Sequence, residues 1–549
     1  MVVGGGWLLL GGGRPGAVAV AEEYSRAFAR QDAAALYPLL SDDARRRITR
    51  ERFVRLHREA LTTATATRVV AGPAEHVDDT HVDVPLTVRT RVFGTIRGTL
   101  SLTFAGDGDR PGVDWRPNLV FPGVPEGGAL TRTVRLPPRG TLLSRDDQVL
   151  AEGHARTPAP DVADVARDTV GQLGPIPPER AQALAALGVP ADATVGLSGL
   201  ERALDERLLG TPGGTLFAGG TVLAQRAPRQ AKAVRTTVAP AVERAAVAAL
   251  AGRLGGVVAL NPRTGEILAF AGIAFSGLQP PGSTFKMVTL AGSLEAGITD
   301  VKETFPVRTA ATLEGVELQN ANGESCGGSL ANSFAQSCNS VFAPLGTELG
   351  AQRLVATAEK FGFNRRPDIA GAATSTLPAA GEIGDDLAIG STAIGQGRVQ
   401  ATALQMATVA ATLGLGGRRP RLTVAIDERV DNTKLQPVID PSAARTAGRL
   451  MLDVVAYGTG RAAALRGVKV AGKTGTAELE STQACEPTDV NPESCQEVSV
   501  TTDTDAWFAG FAPGDRTTPK VAVGVLLVRA GAGGDTAAPV ARQVLLAAL

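Results

Sequence analysis

The sequence predicts a multidomain protein of mixed α+β and α/β class, on three observations. Its 549 residues correspond to about three or four domains at about 150 residues each. Helical periodicity over residues 17–60 is followed by strand-like alternation from Val82 through Phe104, which is an α+β plan. From Thr236 onward, the strand-like and helical stretches are typical of one large α/β unit.

Composition narrows the function classes. Hydrophobic residues make up 44% of the chain and charged residues 20%, which excludes wholesale disorder. The chain has 55 lysines and arginines and 55 aspartates and glutamates, so its net charge is zero. This balance argues against a nucleic-acid-binding protein with a basic footprint. No histidine lies beyond His154, so the later chain cannot form a Ser-His-Asp triad, a Cys-His pair or a histidine-ligated zinc site.

The N-terminal stretch Val2–Gly13 carries no charge. Twelve helical residues span only about 18 Å of a hydrocarbon core of about 30 Å. No Lys or Arg precedes the stretch, so it lacks the basic start of a signal peptide. We expect residues 1–16 to be the tail of a membrane anchor whose beginning is missing, with a disordered glycine-rich start as the alternative.

Three domains are predicted after residue 16. The first, residues 17–123, is α+β and ends in a proline- and glycine-rich boundary. The second, residues 124–235, mixes short strands with helices. The third, residues 236–549, opens with a hairpin of two strand-like runs around a turn. Its further elements are predicted as follows: hairpin strands at 257–260 and 266–270, later strands at 467–479, 504–511 and 520–528, and a last helix at 538–549.

The first motif of chemical interest is Ser283-Thr284-Phe285-Lys286, at the start of a helical run that extends from Ser283 to Ala296. In the first turn of a helix, the dipole favours a developing alkoxide on Ser283. Lys286 lies three residues on and hence on the same face. A neutral lysine there could take the serine proton without any histidine. Taken alone, such a tetrad is common and is far more often an ordinary helix N-cap.

Two further motifs follow, Ser337-Cys338-Asn339 and Lys473-Thr474-Gly475-Thr476. The first lies inside a helix-like stretch, residues 331–349, and the second in a strand that begins near residue 468. Glycine within a strand indicates that something approaches the backbone closely, and a substrate peptide along an edge strand would need that gap. Lys473 and the threonine hydroxyls would then hold a carboxylate.

Together and in this order, the three motifs are a strong signal for one kind of serine acyl transfer. Only eight of the 55 basic residues are lysines, and two of them occupy the required positions. The last 310 or so residues resemble the transpeptidase domain of penicillin-binding proteins. The middle region carries Arg139-Gly140, followed by Arg145, and Gly199-Leu200-Glu201, which leads to Leu208-Leu209-Gly210. With these residues it resembles the pedestal or dimerisation domain of the class B members. The N-terminal region ends in Asp114-Trp115 and Phe121-Pro122 and is similar to the cone-shaped, nuclear-transport-factor-2-like domain of the methicillin-resistance type.

The resemblance implies a fold and an activity. The fold is a serine transpeptidase/β-lactamase-like domain, an antiparallel sheet covered by helices, preceded by the pedestal and the cone-shaped α+β domain. The activity is that of a peptidoglycan D,D-transpeptidase that is acylated by β-lactams. Neither a metal nor an organic cofactor is implied.

Carried over motif by motif, the resemblance implies the following residue roles. Ser283 attacks the D-Ala-D-Ala carbonyl of a stem peptide with Lys286 as base, and an amine from a neighbouring stem then takes the acyl group. Ser337 relays a proton to the leaving D-alanine, while Asn339 binds the substrate amide. Lys473 polarises Ser337. The substrate-binding residues are Thr474, Gly475 and Thr476, and the backbone N–H groups of Ser283 and Thr476 form the oxyanion hole.

The resemblance also implies partners and a location. The partners are peptidoglycan stem peptides, β-lactam antibiotics and a membrane glycosyltransferase, without nucleic acid. The location is the extracytoplasmic face of the membrane, where disulfides form. Cys485 and Cys495 would close one short loop and Cys326 and Cys338 would form the complementary pair, with free thiols as the alternative for the second pair.

Three other activities stay open on the sequence. A D,D-carboxypeptidase differs only in using water as the acceptor. A serine β-lactamase shares the three motifs but is usually a single domain. A non-catalytic β-lactam-binding scaffold would not need Ser283, Lys286 and Lys473 intact.

Overall fold

The computed structural model describes residues 15–105, 111–478, 483–484, 496–497, 504–516 and 518–549. These pack as two compact units. The first unit contains the described residues of the segments Met1–Gly140, Gly174–Val195 and Glu206–Lys232. The second contains the described residues of the segments Thr141–Leu173, Gly196–Asp205 and Ala233–Leu549. The predicted middle domain contributes segments to both units, and the domain boundaries predicted from the sequence stay predictions.

The α-helices are α1 Pro15–Ala29, α2 Ala33–Leu36, α3 Asp42–Arg47, α4 Arg50–Thr63, α5 Ala163–Thr169, α6 Pro178–Ala186, α7 Gly199–Ala203, α8 Asp205–Leu208, α9 Pro240–Leu250, α10 Lys286–Glu295, α11 Leu330–Ala335, α12 Asn339–Phe361, α13 Ala380–Ile383, α14 Asp386–Ala393, α15 Ala403–Gly414, α16 Pro441–Ala456 and α17 Ala537–Ala548. Short 3₁₀ helices lie at Tyr37–Leu39, Pro117–Val120, Pro160–Val162, Gly282–Phe285, Ala321–Gly323, Ile426–Glu428, Asn432–Lys434 and Arg461–Ala463.

The strands are β1 Ala66–Ala71, β2 Glu75–His76, β3 His81–Thr90, β4 Thr95–Ala105, β5 Gly112–Val113, β6 Leu130–Arg135, β7 Leu142–Leu143, β8 Val149–Ala151, β9 Leu173–Pro175, β10 Thr194–Gly196, β11 Gly213–Ala218, β12 Thr221–Arg226, β13 Val234–Arg235, β14 Gly255–Leu260, β15 Ile267–Gly272, β16 Thr304–Arg308, β17 Ala310–Leu313, β18 Val316–Gln319, β19 Cys326–Ser329, β20 Ala471–Glu478, β21 Gln483–Ala484, β22 Gln496–Glu497, β23 Thr504–Ala512 and β24 Val521–Leu527.

The first unit is built around a sheet of order β1-β3-β4-β5, with β2 paired to β3. The alternation predicted from Val82 to Phe104 forms two antiparallel strands, β3 and β4. Every second residue of β3 is buried because successive side chains point to opposite faces of the sheet. The apolar face of α1, which includes Tyr24 and Phe28, belongs to the same hydrophobic core as these strand residues.

The second unit contains an antiparallel sheet of order β15-β14-β24-β23-β20. The predicted hairpin forms its strands β14 and β15. All seven residues of β24 are buried, since α17 and α15 both pack on this strand. A strand covered by helices is a continuous apolar run instead of an alternating one. Strand β20, at one edge of the sheet, carries Lys473 to Thr476.

One predicted element is wrong in its continuity. Residues 331–349 do not form a single helix, because α11 ends at Ala335 and α12 begins at Asn339. Ser337 lies in the break with a φ of 63°, a left-handed conformation that a non-glycine residue rarely adopts. Hydrophobic periodicity continues across the break, so the sequence pattern gave no sign of it.

Within the described residues, no helix has the length and apolar character needed to cross a membrane. Residues 1–14 of the predicted anchor remnant lie outside the described part of the chain.

Candidate active site

Ser283 lies in a 3₁₀ turn, Gly282–Phe285, that leads directly into α10. The predicted helix from Ser283 to Ala296 therefore begins with one tighter turn. Ser283 is partly exposed, whereas the side chains of Thr284, Phe285 and Lys286 are buried. The hydroxyl of Thr284 donates to the carbonyl of Pro281 at 2.6 Å and closes the turn. The partly exposed serine is thus carried on an anchored backbone.

Gly475 of β20 faces this turn, and the close approach predicted there is made by the protein itself. A Cβ atom at position 475 would lie 2.7 Å from the carbonyl oxygen of Pro281 and 3.1 Å from the backbone nitrogen of Thr284. Real Cβ atoms essentially never come within 3.0 Å of such neighbours. The glycine therefore allows the turn that carries Ser283 to pack on the strand. The sequence-based expectation that this gap admits a substrate peptide is corrected, because the backbone of Pro281 and Thr284 occupies it.

Gly395 locks the other side of the same turn. The N–H of Gly282 donates to its carbonyl at 2.9 Å, and a Cβ atom at 395 would lie 2.0 Å from the Gly282 carbonyl oxygen. The φ of Gly395 is 79°, which also requires glycine.

Lys286 is fully buried, and its Nζ is held by the Ser-x-Asn motif. The Nζ donates to the carbonyl oxygen of Ser337 at 2.7 Å and to Oδ1 of Asn339 at 2.6 Å, and it lies 3.3 Å from Oγ of Ser337. In the part of the chain that the structure describes, none of the Lys286 Nζ hydrogen bonds goes to Ser283. Asn339 is itself fixed, because its Nδ2 donates to the carbonyl of Gln319 at 2.6 Å.

Lys473 also contacts Ser337. Its Nζ donates to Oγ of Ser337 at 2.8 Å and to its neighbour's carbonyl, that of Thr474, at 3.0 Å. Oγ of Ser337 therefore contacts both buried lysines. The Nζ atoms of Lys286 and Lys473 also each lie 5.7 Å from a ring centroid, Phe342 and Phe334 respectively.

Burial controls the charge of both lysines. Desolvation and, secondarily, the positive charge of Lys473 hold the pKa of Lys286 well below its usual value. Desolvation lowers the pKa of Lys473 from 10.5 to about 7. A neutral amine has two N–H donors and one lone pair. Lys286 can thus donate to the Ser337 carbonyl and to Asn339 while accepting a proton from a hydroxyl.

The two threonines of β20 lie beside this pair. Oγ1 of Thr474 is 2.5 Å from Oγ1 of Thr459, and Oγ1 of Thr476 accepts from the N–H of Gly533 at 3.3 Å. Thr476 is partly exposed and Thr474 is 5% exposed. Hydroxyls and a lysine on one edge strand form a donor-rich surface suited to an anion.

Cys326 of β19 and Cys338 form a disulfide with a Cα–Cα distance of 5.5 Å. The bond fixes the middle residue of the Ser-x-Asn motif to a neighbouring strand. Cys485 and Cys495, the other predicted pair, lie outside the described residues. Among the described residues, no group of three or more His, Cys, Asp or Glu side chains is arranged to hold a metal ion.

Sequence reasoning missed two contributors to this site. The carbonyl of Gln319 orients Asn339, and the hydroxyl of Thr459 contacts Thr474. A backbone carbonyl leaves no mark on the sequence. Thr459 lies between two glycines, Gly458 and Gly460, and that pattern was the one signal that could have drawn attention to it.

Comparison with known proteins adds family matches. Residues 255–546 match the penicillin binding protein transpeptidase domain, and residues 16–128 match the NTF2-like N-terminal transpeptidase domain. A peptidoglycan D,D-transpeptidase PbpA from Mycolicibacterium smegmatis is 33% identical over 419 residues, which cover 64% of this chain and 79% of that protein.

Solved structures are similar as well. The D,D-transpeptidase domain of a peptidoglycan glycosyltransferase from Eggerthella lenta has a TM-score of 0.57 at 28% identity, covering 75% of this chain and 98% of that one. The imipenem acyl-enzyme complex of penicillin-binding protein A from M. tuberculosis has a TM-score of 0.56 at 28% identity, with the same coverage.

Proposed function

The chain belongs to the penicillin-binding protein transpeptidase family, and from that premise we propose how its own residues carry out acyl transfer. It is a class B peptidoglycan D,D-transpeptidase that is acylated by β-lactams. In the proposed mechanism, Ser283 is the nucleophile and forms an ester with the penultimate D-alanine of a stem peptide. The terminal D-alanine leaves, and an amine of a second stem takes the acyl group.

Lys286 is proposed as the base that removes the Ser283 proton. Burial, with the neighbouring charge of Lys473, holds the pKa of this amine well below its usual value, which favours the neutral form whose lone pair can accept a proton. The hydrogen bonds that the amine donates to the Ser337 carbonyl and to Asn339 fix its orientation. Ammonium at position 286 would be disfavoured both by burial and by the neighbouring Lys473.

The observation that carries this proposal is that the Ser337 hydroxyl contacts the amines of both lysines. Oγ accepts from Lys473 at 2.8 Å and lies 3.3 Å from the Lys286 amine. A proton that Lys286 has taken from Ser283 can therefore pass through Ser337 to the nitrogen of the leaving D-alanine. Lys473 stabilises the negative charge that develops on Oγ during this transfer.

Substrate recognition is proposed to use β20 and Asn339. Thr474, Gly475 and Thr476 would bind the terminal carboxylate of the stem peptide, with Lys473 supplying positive charge. The amide of Asn339 would bond the peptide backbone. The N–H groups of Ser283 and Thr476 would hold the oxyanion, a contribution of roughly 3–4 kcal/mol per donor in comparable sites.

Partners and location follow from the chemistry. The enzyme acts on peptidoglycan outside the cytoplasm. We propose in addition that it is held at the membrane by an N-terminal anchor, of which the uncharged stretch Val2–Gly13 is the support in this sequence, and that a membrane glycosyltransferase supplies its glycan.

Intact-protein mass spectrometry with benzylpenicillin tests the assignment of Ser283. The expected result is an adduct of one drug mass in the wild type and in a Ser442→Ala control, which changes an exposed serine on α16, and no adduct in Ser283→Ala. An adduct that persists in Ser283→Ala would overturn the assignment. Turnover of a D-Ala-D-Ala peptide with and without an acceptor amine then separates cross-linking from carboxypeptidase activity, since only the former gives an amide dimer.

A further inference from the structure

A short turn after α16 bonds both to the end of α11, just before Ser337, and to β20, which carries Lys473. This turn, Tyr457–Gly460, follows the last residue of α16. The N–H of Thr459 donates to the carbonyl of Ala335 at 3.1 Å, two residues before Ser337. The hydroxyl of Thr459 lies 2.5 Å from the hydroxyl of Thr474, the residue after Lys473. One threonine therefore bonds both to the end of α11 and to β20.

The backbone around Thr459 is closely packed. A Cβ atom at Gly458 would lie 2.3 Å from the carbonyl oxygen of Ala335. A Cβ atom at Gly534 would lie 2.5 Å from the carbonyl oxygen of Thr459. The N–H of Gly460 donates to the carbonyl of Val454 at 2.9 Å, which ties the turn back to α16. The position of the Thr459 hydroxyl is thus determined by packed backbone.

The two hydroxyls have different surroundings. Thr474 is 5% exposed, whereas Thr459 is exposed. Each hydroxyl has one proton to donate and can accept two hydrogen bonds. If Thr474 gave its proton to Thr459, it would have none for a substrate carboxylate. If Thr459 donates to Thr474, the proton of Thr474 is left for the anion.

We propose that Thr459 is a positioning residue for the substrate carboxylate: it donates to Oγ1 of Thr474, so that the Thr474 hydroxyl donates to the carboxylate. Its N–H holds the end of α11, and with it Ser337, at a set distance from β20. This inference rests on the proposed function, in which Thr474 binds the terminal carboxylate.

The test compares Thr459→Val with Thr459→Ser. The valine is close to threonine in shape and has no hydroxyl, whereas the serine retains the donor. Acylation rate constants are measured by stopped-flow with benzylpenicillin and with its methyl ester, which lacks the negative charge. We expect Thr459→Val to lower the rate constant about tenfold for the free acid, the size of the lost hydrogen bond that orients Thr474, and to leave the ester rate within about twofold.

Thr459→Ser is expected to recover the free-acid rate to within about twofold of wild type. Thr67→Val, which makes the same change at an exposed threonine of β1 in the first unit, should not alter either rate. In steady state with a stem peptide, Thr459→Val should raise KM more than it lowers kcat. A Thr459→Val/Thr474→Val double variant should acylate no more slowly than Thr474→Val alone, because the two hydroxyls act in series.

Two results would overturn the inference. One is an unchanged free-acid rate in Thr459→Val. The other is equal slowing with the acid and the ester, which would mean that the turn is only structural. Both are read on an enzyme whose Ser283 adduct has been verified, so they leave the proposed function standing. If the wild type formed no adduct at Ser283, the proposed function itself would fail.

Discussion

The Nζ of Lys286 donates a 2.6 Å hydrogen bond to Oδ1 of Asn339, 53 residues away in sequence. This bond joins the start of α10, which follows the nucleophile turn, to the start of α12. Asn339 is fixed in turn by the carbonyl of Gln319. A lysine held in this way keeps its lone pair in one direction, which is the requirement for a base without histidine.

Lys286→Met should abolish the base. We expect the rate of adduct formation with benzylpenicillin to fall by about a thousandfold, within the range that general-base removal costs. Lys286→Arg should be equally impaired, because a guanidinium does not lose its proton near neutral pH. Lys302→Met, at an exposed lysine, should react like wild type. Near-normal acylation in Lys286→Arg would exclude Lys286 as the base.

The lowered pKa of Lys473 should make the stability of the fold depend on pH. Its pKa falls from 10.5 to about 7 on folding, so the unfolded chain binds more protons between these values. The free energy of unfolding should therefore rise with pH across this window. Lys473→Met removes this contribution and should be more stable than wild type near pH 7, by at most about 5 kcal/mol for a pKa change from 10.5 to about 7 at about 1.4 kcal/mol per pKa unit. Urea denaturation at pH 7 and pH 10 measures the difference in unfolding free energy between Lys473→Met and wild type. The predicted direction would be contradicted if the advantage of the variant grew with pH.

The raised pKa of Glu243 should make the free energy of unfolding fall, not rise, with increasing pH. This buried carboxyl of α9 accepts one bond from the N–H of Phe270 at 2.8 Å, and burial raises its pKa to about 8. Above pH 4.5 the unfolded carboxyl loses its proton, whereas the folded carboxyl keeps its proton up to about pH 8. The contribution of Glu243 to the free energy of unfolding is therefore full below pH 4.5 and is lost as the pH rises toward 8. Glu243→Gln should therefore exceed wild type in unfolding free energy at pH 8 but not at pH 5. Equal differences at both pH values would refute this.

Gly475→Ala should disturb the nucleophile turn. Its Cβ would lie 2.7 Å from the Pro281 carbonyl, so the turn carrying Ser283 must shift. We expect a loss of about 1–3 kcal/mol of stability, typical of overpacking, together with slower acylation. Gly381→Ala is the matched control, since no atom lies within 4 Å of its Cβ. Melting temperatures and rates of adduct formation are measured for both variants. A Gly475→Ala enzyme with the same melting temperature and acylation rate as the Gly381→Ala control would show that the turn adapts freely.

The disulfide predicts sensitivity to reduction. Cys326 and Cys338 are 12 residues apart, and closing a loop of this length stabilises by about 3 kcal/mol in the chain-entropy account. Dithiothreitol should lower the melting temperature and slow acylation, because Cys338 lies between Ser337 and Asn339. A Cys326→Ala/Cys338→Ala variant should start from the lower values and not respond to the reductant. A response of the same size in that variant would place the effect elsewhere.

Much of this site could be found in the sequence because its chemistry is concentrated in three short motifs. Their spacing, the scarcity of lysine and the absence of histidine after His154 were enough to group Ser283, Lys286 and Lys473. The hairpin β14–β15 and strand β24 were predicted for a similar reason, since each is a local apolar pattern between turn signals. The break at Ser337 was missed because it is stabilised by packing and by a disulfide, neither of which changes the hydrophobic period.

The sequence by itself determined which functional groups are available: a serine, two lysines, a second serine and an amide at set intervals, without histidine. Only the tertiary structure decided what those groups are able to do. Burial of Lys286 and Lys473 lowers their pKa values, and that burial comes from strands and helices far apart in the chain. Gly475 shows the same division, because its identity is plain in the sequence while the carbonyl it accommodates belongs to Pro281. Desolvation and close packing depend on distances in space, and an order of residues specifies those only through the fold.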